Sequence, residues 1–201
     1  MHSMLDGKFL KKLAWPALAL AASIGLNSVS SRLIYAHVPD RPIPQDLLFS
    51  VTPYIGWTQY VSDPANFLSV ILLAVYVFSG RIRLLPVVLW AFALAEGMRA
   101  AIILLNPLGS PLGPGMEYGL ANFLPIIQLG QFPSGHMMLV VLCYLIVERQ
   151  DAPNIKSLLL LSVFLEVVAL IFSRGHYGID IVGGFFVAYV AKHEIWKRMG
   201  A

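Results

Sequence analysis

Charged side chains are scarce in this chain: 12% of 201 residues, against about 25% in a soluble globular domain. Apolar residues fill the gap at 58%, and the mean hydropathy is +0.73. That composition points to lipid as the solvent. Cysteine occurs once, at Cys143, so neither an intrachain disulfide nor a cysteine-based zinc site can form. Cys143 lies inside an apolar run and is expected to be a small buried hydrophobe. There is no internal repeat, heptad or low-complexity tract, which argues for a single domain over residues 1–201. The net charge of +3 is spread between apolar blocks, with no basic stripe interleaved with aromatics, so nucleic acid is not an expected partner.

What is there is a series of apolar runs. A bilayer core needs about 20 apolar residues per helix. The candidate spans are Leu13–Leu33, Pro64–Ser79, Leu84–Leu105, Ser134–Val147, Ser157–Phe172 and Gly178–Ile195. The second, fourth and fifth are short and must recruit flanking residues. The expected fold class is therefore all-α: a polytopic membrane protein built as a bundle of six transmembrane helices. Lys8, Lys11 and Lys12 with the small residues Ala19-Leu20-Ala21 resemble a signal peptide. The apolar stretch continues to about Ile34, however, and a retained first span is expected. Arg81, Arg83, Arg149, Lys156, Lys192, Lys197 and Arg198 join the N-terminal lysines on one side of a six-span topology. That side is the cytoplasm by the positive-inside rule, and it holds both termini. Asn106–Gln131 has no Lys or Arg and belongs opposite; its prolines and glycines indicate a structured loop. Tyr35–Asp63, rich in proline and aromatics, is expected along the outer interface.

Two polar clusters interrupt this pattern. In Gln131-Phe-Pro-Ser-Gly-His136, Pro133 and Ser134 are helix-starting residues. They set Ser134, Gly135 and His136 at a helix N-terminus, where backbone N–H groups and the positive dipole end favour an anion. In Ser173-Arg174-Gly-His176-Tyr-Gly-Ile-Asp180, His176 and Asp180 are four residues apart and share a face if helical. A carboxylate on one ring nitrogen fixes the imidazole tautomer and directs the other as nucleophile or base. Arg174 is a fork-shaped donor suited to phosphate, and Tyr177 is an accessory candidate. Both clusters fall at outer ends of their spans. A zinc site of His136, His176 and Asp180 is disfavoured by the adjoining Arg174, so no metal is expected.

Glu96, Arg99 and Glu166 lie inside spans, where charges are usually paired or functional. Arg99 is deep enough to reach a lipid phosphate. Glu96, one turn further in, either neutralises Arg99 or assists it. Glu166 has no partner legible in the sequence.

At these residues the chain resembles the type 2 phosphatidic acid phosphatase superfamily, whose signature blocks are Pro-Ser-Gly-His and Ser-Arg…His…Asp. The resemblance covers roughly the C-terminal half. Only Gly175 separates Arg174 from His176, a shorter spacer than is usual there, and the Lys…Arg-Pro block is missing. In both respects the chain resembles the sphingomyelin-synthase branch, with its compact His-Tyr-x-x-Asp block and an Arg before a Pro/Gly-rich outer loop. Pro42-Ile-Pro-Gln-Asp46 is similar to that branch too.

That resemblance implies that His176 attacks phosphorus to give a phosphohistidine and that Asp180 orients it. It further implies that His136 protonates the departing lipid alcohol and then activates the acceptor. Arg99, Arg174, Ser134 and Gly135 would hold the phosphoryl oxygens, and no metal or cofactor is implied. The expected function is phospholipid headgroup phosphotransfer, or phospholipase C-like cleavage, with a phosphodiester lipid as donor. The acceptor would be a lipid alcohol such as ceramide, or water. A lipid phosphate monoesterase acting on phosphatidic acid, phosphatidylglycerophosphate or a polyprenyl diphosphate is the alternative. A non-catalytic lipid transporter is a third. The site should face the periplasm if the protein belongs to a bacterial inner membrane, and otherwise a lumen or cell exterior. The sequence leaves a homo-oligomer open.

Overall fold

The computed structural model describes residues 7–38, 40–112 and 131–200. Among them there are seven α-helices and no strand. They are α1 (Gly7–His37), α2 (Leu47–Val51), α3 (Gln59–Phe78), α4 (Leu85–Leu105), α5 (Gly135–Ile146), α6 (Pro153–Phe172) and α7 (Gly178–Met199). The helix starts follow local chemistry. Pro86 and Pro153 stand in first turns, where a missing N–H removes nothing. Asp46 and Ser134 cap α2 and α5 through side-chain oxygens that accept from Leu48 N and Met137 N. Gly200 closes α7 at φ 64, in the left-handed region.

Four of the described helices are long and apolar enough to cross a membrane: Phe9–Ile34, Gly56–Phe78, Ile82–Leu105 and Pro153–Phe172, including short helical extensions. The second and fifth expected spans thus gain flanking residues at their starts, as their lengths demanded. The fourth does not. At 12 residues α5 is too short to cross a bilayer alone, and its burial explains why it need not be longer. Met137, Met138, Val140, Val141, Leu142, Cys143 and Ile146 are all buried where α5 packs against α3, α6 and α7. It is an interior helix, shielded from solvent and lipid by its neighbours. Cys143 is the buried hydrophobe expected of it.

Around this centre α3 lies on α6, and α4 lies between α7 and α1. Large apolar side chains point outward from the outer helices, among them Trp15, Phe67, Phe78, Leu105, Phe164 and Phe186, as a lipid-facing surface requires. At one end, the ion pairs Arg81–Asp151 (3.5 Å) and Lys192–Glu148 (3.9 Å) join the α3–α4 turn, the α5–α6 turn and the last turns of α7. At the other end the segment 40–58, which includes α2, is fastened by backbone. Gly109 N donates to Pro42 O (2.9 Å), and Ile55 N donates to Phe172 O (2.7 Å). Most of the expected Pro/Gly-rich loop lies at 113–130, outside the described residues.

The α5–α7 contact is close because Gly184 allows it. A Cβ there would sit 2.6 Å from Ser134 O and 3.0 Å from Met138 N, both backbone atoms that cannot swing away. Gly184→Ala is expected to destabilise the protein by about 1–3 kcal/mol, read as a lower melting temperature in detergent.

Candidate active site

The site begins where α6 stops. Gly175 N donates to Leu170 O (3.1 Å) and Arg174 N to Ile171 O (3.2 Å), the paired bonds of a Schellman turn. Such a turn needs a left-handed residue, usually glycine. Here Arg174 takes that position at φ 54, which costs roughly 1–2 kcal/mol. The turn reverses the chain so tightly that His176 enters the bundle two residues later. Asp180 then sits in the first turn of α7, fully buried. Its Oδ2 accepts from Tyr177 N (2.9 Å) and from His176 Nδ1 (3.2 Å). With Nδ1 carrying the proton towards Asp180, Nε2 is the basic nitrogen of His176.

The second cluster arrives from α5. The main chains of the two meet directly, Ser134 N donating to Asp180 O (3.0 Å). His136 and His176 face one another with ring centroids 6.1 Å apart. His136 Nε2 lies 3.3 Å from Asp63 Oδ1 on α3, so the site holds two imidazole–carboxylate pairs from four different elements. Arg99 completes it. Its guanidinium is buried, its Nε donates to Pro133 O (3.1 Å), and its charge is felt by His176 and Asp180. Gly135 is what lets Arg99 lie there, since a Cβ would approach Nε to 3.0 Å and Cζ to 3.1 Å.

The residues singled out from sequence separate into two groups. His136, His176, Asp180, Arg99, Ser134 and Gly135 come together. Ser134 is committed to the scaffold, its hydroxyl capping α5 and its amide bound to Asp180 O. Gly135, as the first helical residue, has an amide with no acceptor inside its own helix. Arg174 points elsewhere: Nη2 donates to Phe49 O (3.2 Å), and the guanidinium lies over the rings of Phe49 and Tyr54 at 5.5 and 5.7 Å. It anchors the outer strap containing α2. Tyr177 is also structural, its hydroxyl donating to Gly109 O (3.1 Å). Burial, then the nearby Asp180 and Asp46 carboxylates, push its phenol up to about 12, so it stays a donor at neutral pH. Glu96 accepts from Asn27 Nδ2 on α1 (2.7 Å).

Asp63 was not found from sequence. Pro64 reads as a helix start, which leaves Asp63 in the preceding loop. In the structure α3 begins at Gln59 and carries Pro64 inside its early turns, so Asp63 is a helical, buried carboxylate. Glu166 now has its partners: Ser62 Oγ donates to Oε1 (2.6 Å) and Asn66 Nδ2 to Oε2 (2.9 Å). Its charge reaches His136 and Asp63 as well.

His176 lies in the turn between α6 and α7. Burial holds its pKa below the ordinary imidazole value, more strongly than Asp180 raises it, and the charges of His136 and Arg99 act in the same downward direction. The imidazole is neutral, and so nucleophilic, at neutral pH.

Residues 132–194 match the family model described as PAP2 superfamily C-terminal. The matched stretch contains His136, His176 and Asp180, and stops short of Arg99 and Asp63. No curated protein matches the chain at a significant level.

Proposed function

We propose that the protein is an integral membrane enzyme of the type 2 phosphatidic acid phosphatase superfamily, closest to the sphingomyelin-synthase branch, that transfers a phosphate-bearing headgroup of a phosphodiester lipid. Six helices (α1 and α3 to α7) form the membrane unit. The termini are cytoplasmic and the histidines open to the periplasmic or luminal side. The observation that carries this reading is the pairing of two imidazole–carboxylate dyads, His176–Asp180 and His136–Asp63, with ring centroids of the two histidines 6.1 Å apart and the buried Arg99 packed on the adjoining Gly135.

The chemistry follows from which nitrogen each carboxylate occupies. His176 Nε2 attacks phosphorus, forming an N–P bond as the P–O bond to the diacylglycerol breaks. His136 gives its Nδ1 proton to the departing alkoxide, while Asp63 stabilises the imidazolium through Nε2. The acceptor, a lipid alcohol or water, then loses its proton to the same Nδ1 and attacks phosphorus from the opposite face. The N–P bond breaks, and His176 is restored. Arg99 and the Gly135 amide hold the non-bridging oxygens as charge builds.

A diester fits better than a monoester because Arg174 is engaged at α2. Arg99 then faces the single negative charge of a phosphodiester, whereas a monoester carries more and calls for further cations.

Asp63→Asn is expected to reduce turnover by about 10- to 1000-fold, within the range for impaired general acid–base catalysis, with little change in melting temperature. Steady-state kinetics and a thermal scan check it together. The lowered pKa of His176 also fixes a sign. Activity needs the neutral ring, so the acidic limb of the rate profile should fall below pH 6.5 rather than at or above it; a pH titration of kcat/KM measures this.

The test of the function supplies purified protein with phosphatidylcholine, phosphatidylethanolamine, phosphatidylglycerol or phosphatidic acid, with and without ceramide. Diacylglycerol without free phosphate from a diester lipid supports the proposal. Free phosphate from phosphatidic acid alone would make the protein a monoesterase and overturn the branch assignment.

A further inference from the structure

Helix α1 touches the rest of the bundle along α4, and small residues let the two lie close. A Cβ on Gly97 would be 3.4 Å from Ser23 Oγ, and Ser30 and Ser31 of α1 and Ala93 and Ala100 of α4 are buried. Seams of this kind hold helices together in lipid through packing and a few polar bonds. The polar bond here is Asn27 Nδ2 to Glu96 Oε2 at 2.7 Å. Glu96 stands three residues before Arg99 on α4, on the same face of the helix, and its charge acts on the Arg99 guanidinium.

We propose that Asn27 is a positioning residue for the phosphate-binding arginine: it fixes the Glu96 carboxylate, which in turn holds Arg99 against the Pro133–Gly135 turn. This inference rests on the role given to Arg99 above. An asparagine suits the task because its amide N–H directs the carboxylate without cancelling its charge. A lysine would neutralise Glu96, and an apolar residue would release it to other rotamers. A loosened Glu96 pulls the flexible guanidinium with it, away from the 3.1 Å bond to Pro133 O and the close packing on Gly135. Helix α1, remote from both histidine clusters in sequence, thereby acts on the phosphate.

The test measures orthovanadate binding by calorimetry on the full-length protein in detergent, together with KM, kcat and melting temperature. Asn27→Ala should weaken vanadate binding and raise KM by about three- to tenfold, the range expected for one interhelical polar bond in a membrane. Ser30→Ala, a second buried α1 position, should change neither. A purely structural role for Asn27 would lower the melting temperature and leave vanadate affinity per folded molecule unchanged, and that result overturns the proposal. If Asn27→Ala does not fold, Asn27→Asp with Glu96→Gln decides. The double variant rebuilds the bond but moves the negative charge from position 96 to position 27, one hydrogen bond further from Arg99, so it should fold and still bind vanadate weakly. Wild-type affinity in that variant overturns the proposal. Arg99→Ala separates the two layers. If it loses vanadate while Asn27→Ala binds normally, the phosphate site stands and the positioning role falls. If Arg99→Ala binds as wild type does, the role of Arg99 and the inference built on it fall together.

Discussion

His176→Ala is expected to abolish turnover, with kcat falling by at least about 10³-fold, as when a covalent nucleophile is removed. Melting temperature should stay near that of the wild type. The imidazole lies in the turn between α6 and α7 and donates to Asp180, but Asp180 keeps a second bond, from Tyr177 N. The first turn of α7 therefore survives the loss. The fall should appear in kcat, because binding of the lipid tails does not involve His176. Any transport function would persist in this variant. Rates of diacylglycerol release beside a lipid-binding assay distinguish the two.

Arg99→Ala is the second large effect, expected to lower kcat/KM by about 10²- to 10³-fold, the scale for losing a preorganised donor to a developing oxyanion. Arg99→Lys should recover little of it. A guanidinium can bind Pro133 O through Nε and still present its remaining N–H groups to phosphate, and an ammonium on a flexible stem lacks that fork. Kinetics on a diester lipid, with circular dichroism to show that the helices persist, measure this directly.

The sequence made the His176–Asp180 dyad legible because both partners lie within one first helical turn, where spacing fixes geometry. Arg99 was legible for a different reason: a charge inside an apolar run must be used or paired. The positions of the long helices followed from the apolar runs, apart from their ends. Asp63 was hidden because Pro64 mimics a helix start. A proline in the early turns of α3 forfeits little, so the helix can begin at Gln59 and bury the carboxylate. Glu166 lacked a partner because Ser62 and Asn66 approach it from about 100 residues away in sequence, a pairing no local pattern encodes. Arg174 looked like a phosphate ligand by composition. Its direction depends on a left-handed φ and on α2 lying across the bundle end, and neither can be read from residue types. Of the six expected spans, four have the length and apolarity to cross a membrane among the described residues; apolarity alone does not distinguish a helix facing lipid from one, like the short α5, enclosed by other helices.

The most direct test of the account is to trap the covalent intermediate. Protein quenched rapidly in alkali during turnover of a diester lipid, then digested and weighed by mass spectrometry, should carry the phosphate together with its headgroup on the peptide containing His176. The adduct should be absent from His176→Ala, and in Asp63→Asn it should both form and decay more slowly. A headgroup-free phosphate at His176 would point to monoester chemistry. Undiminished turnover in His176→Ala with no adduct at that residue would contradict the account.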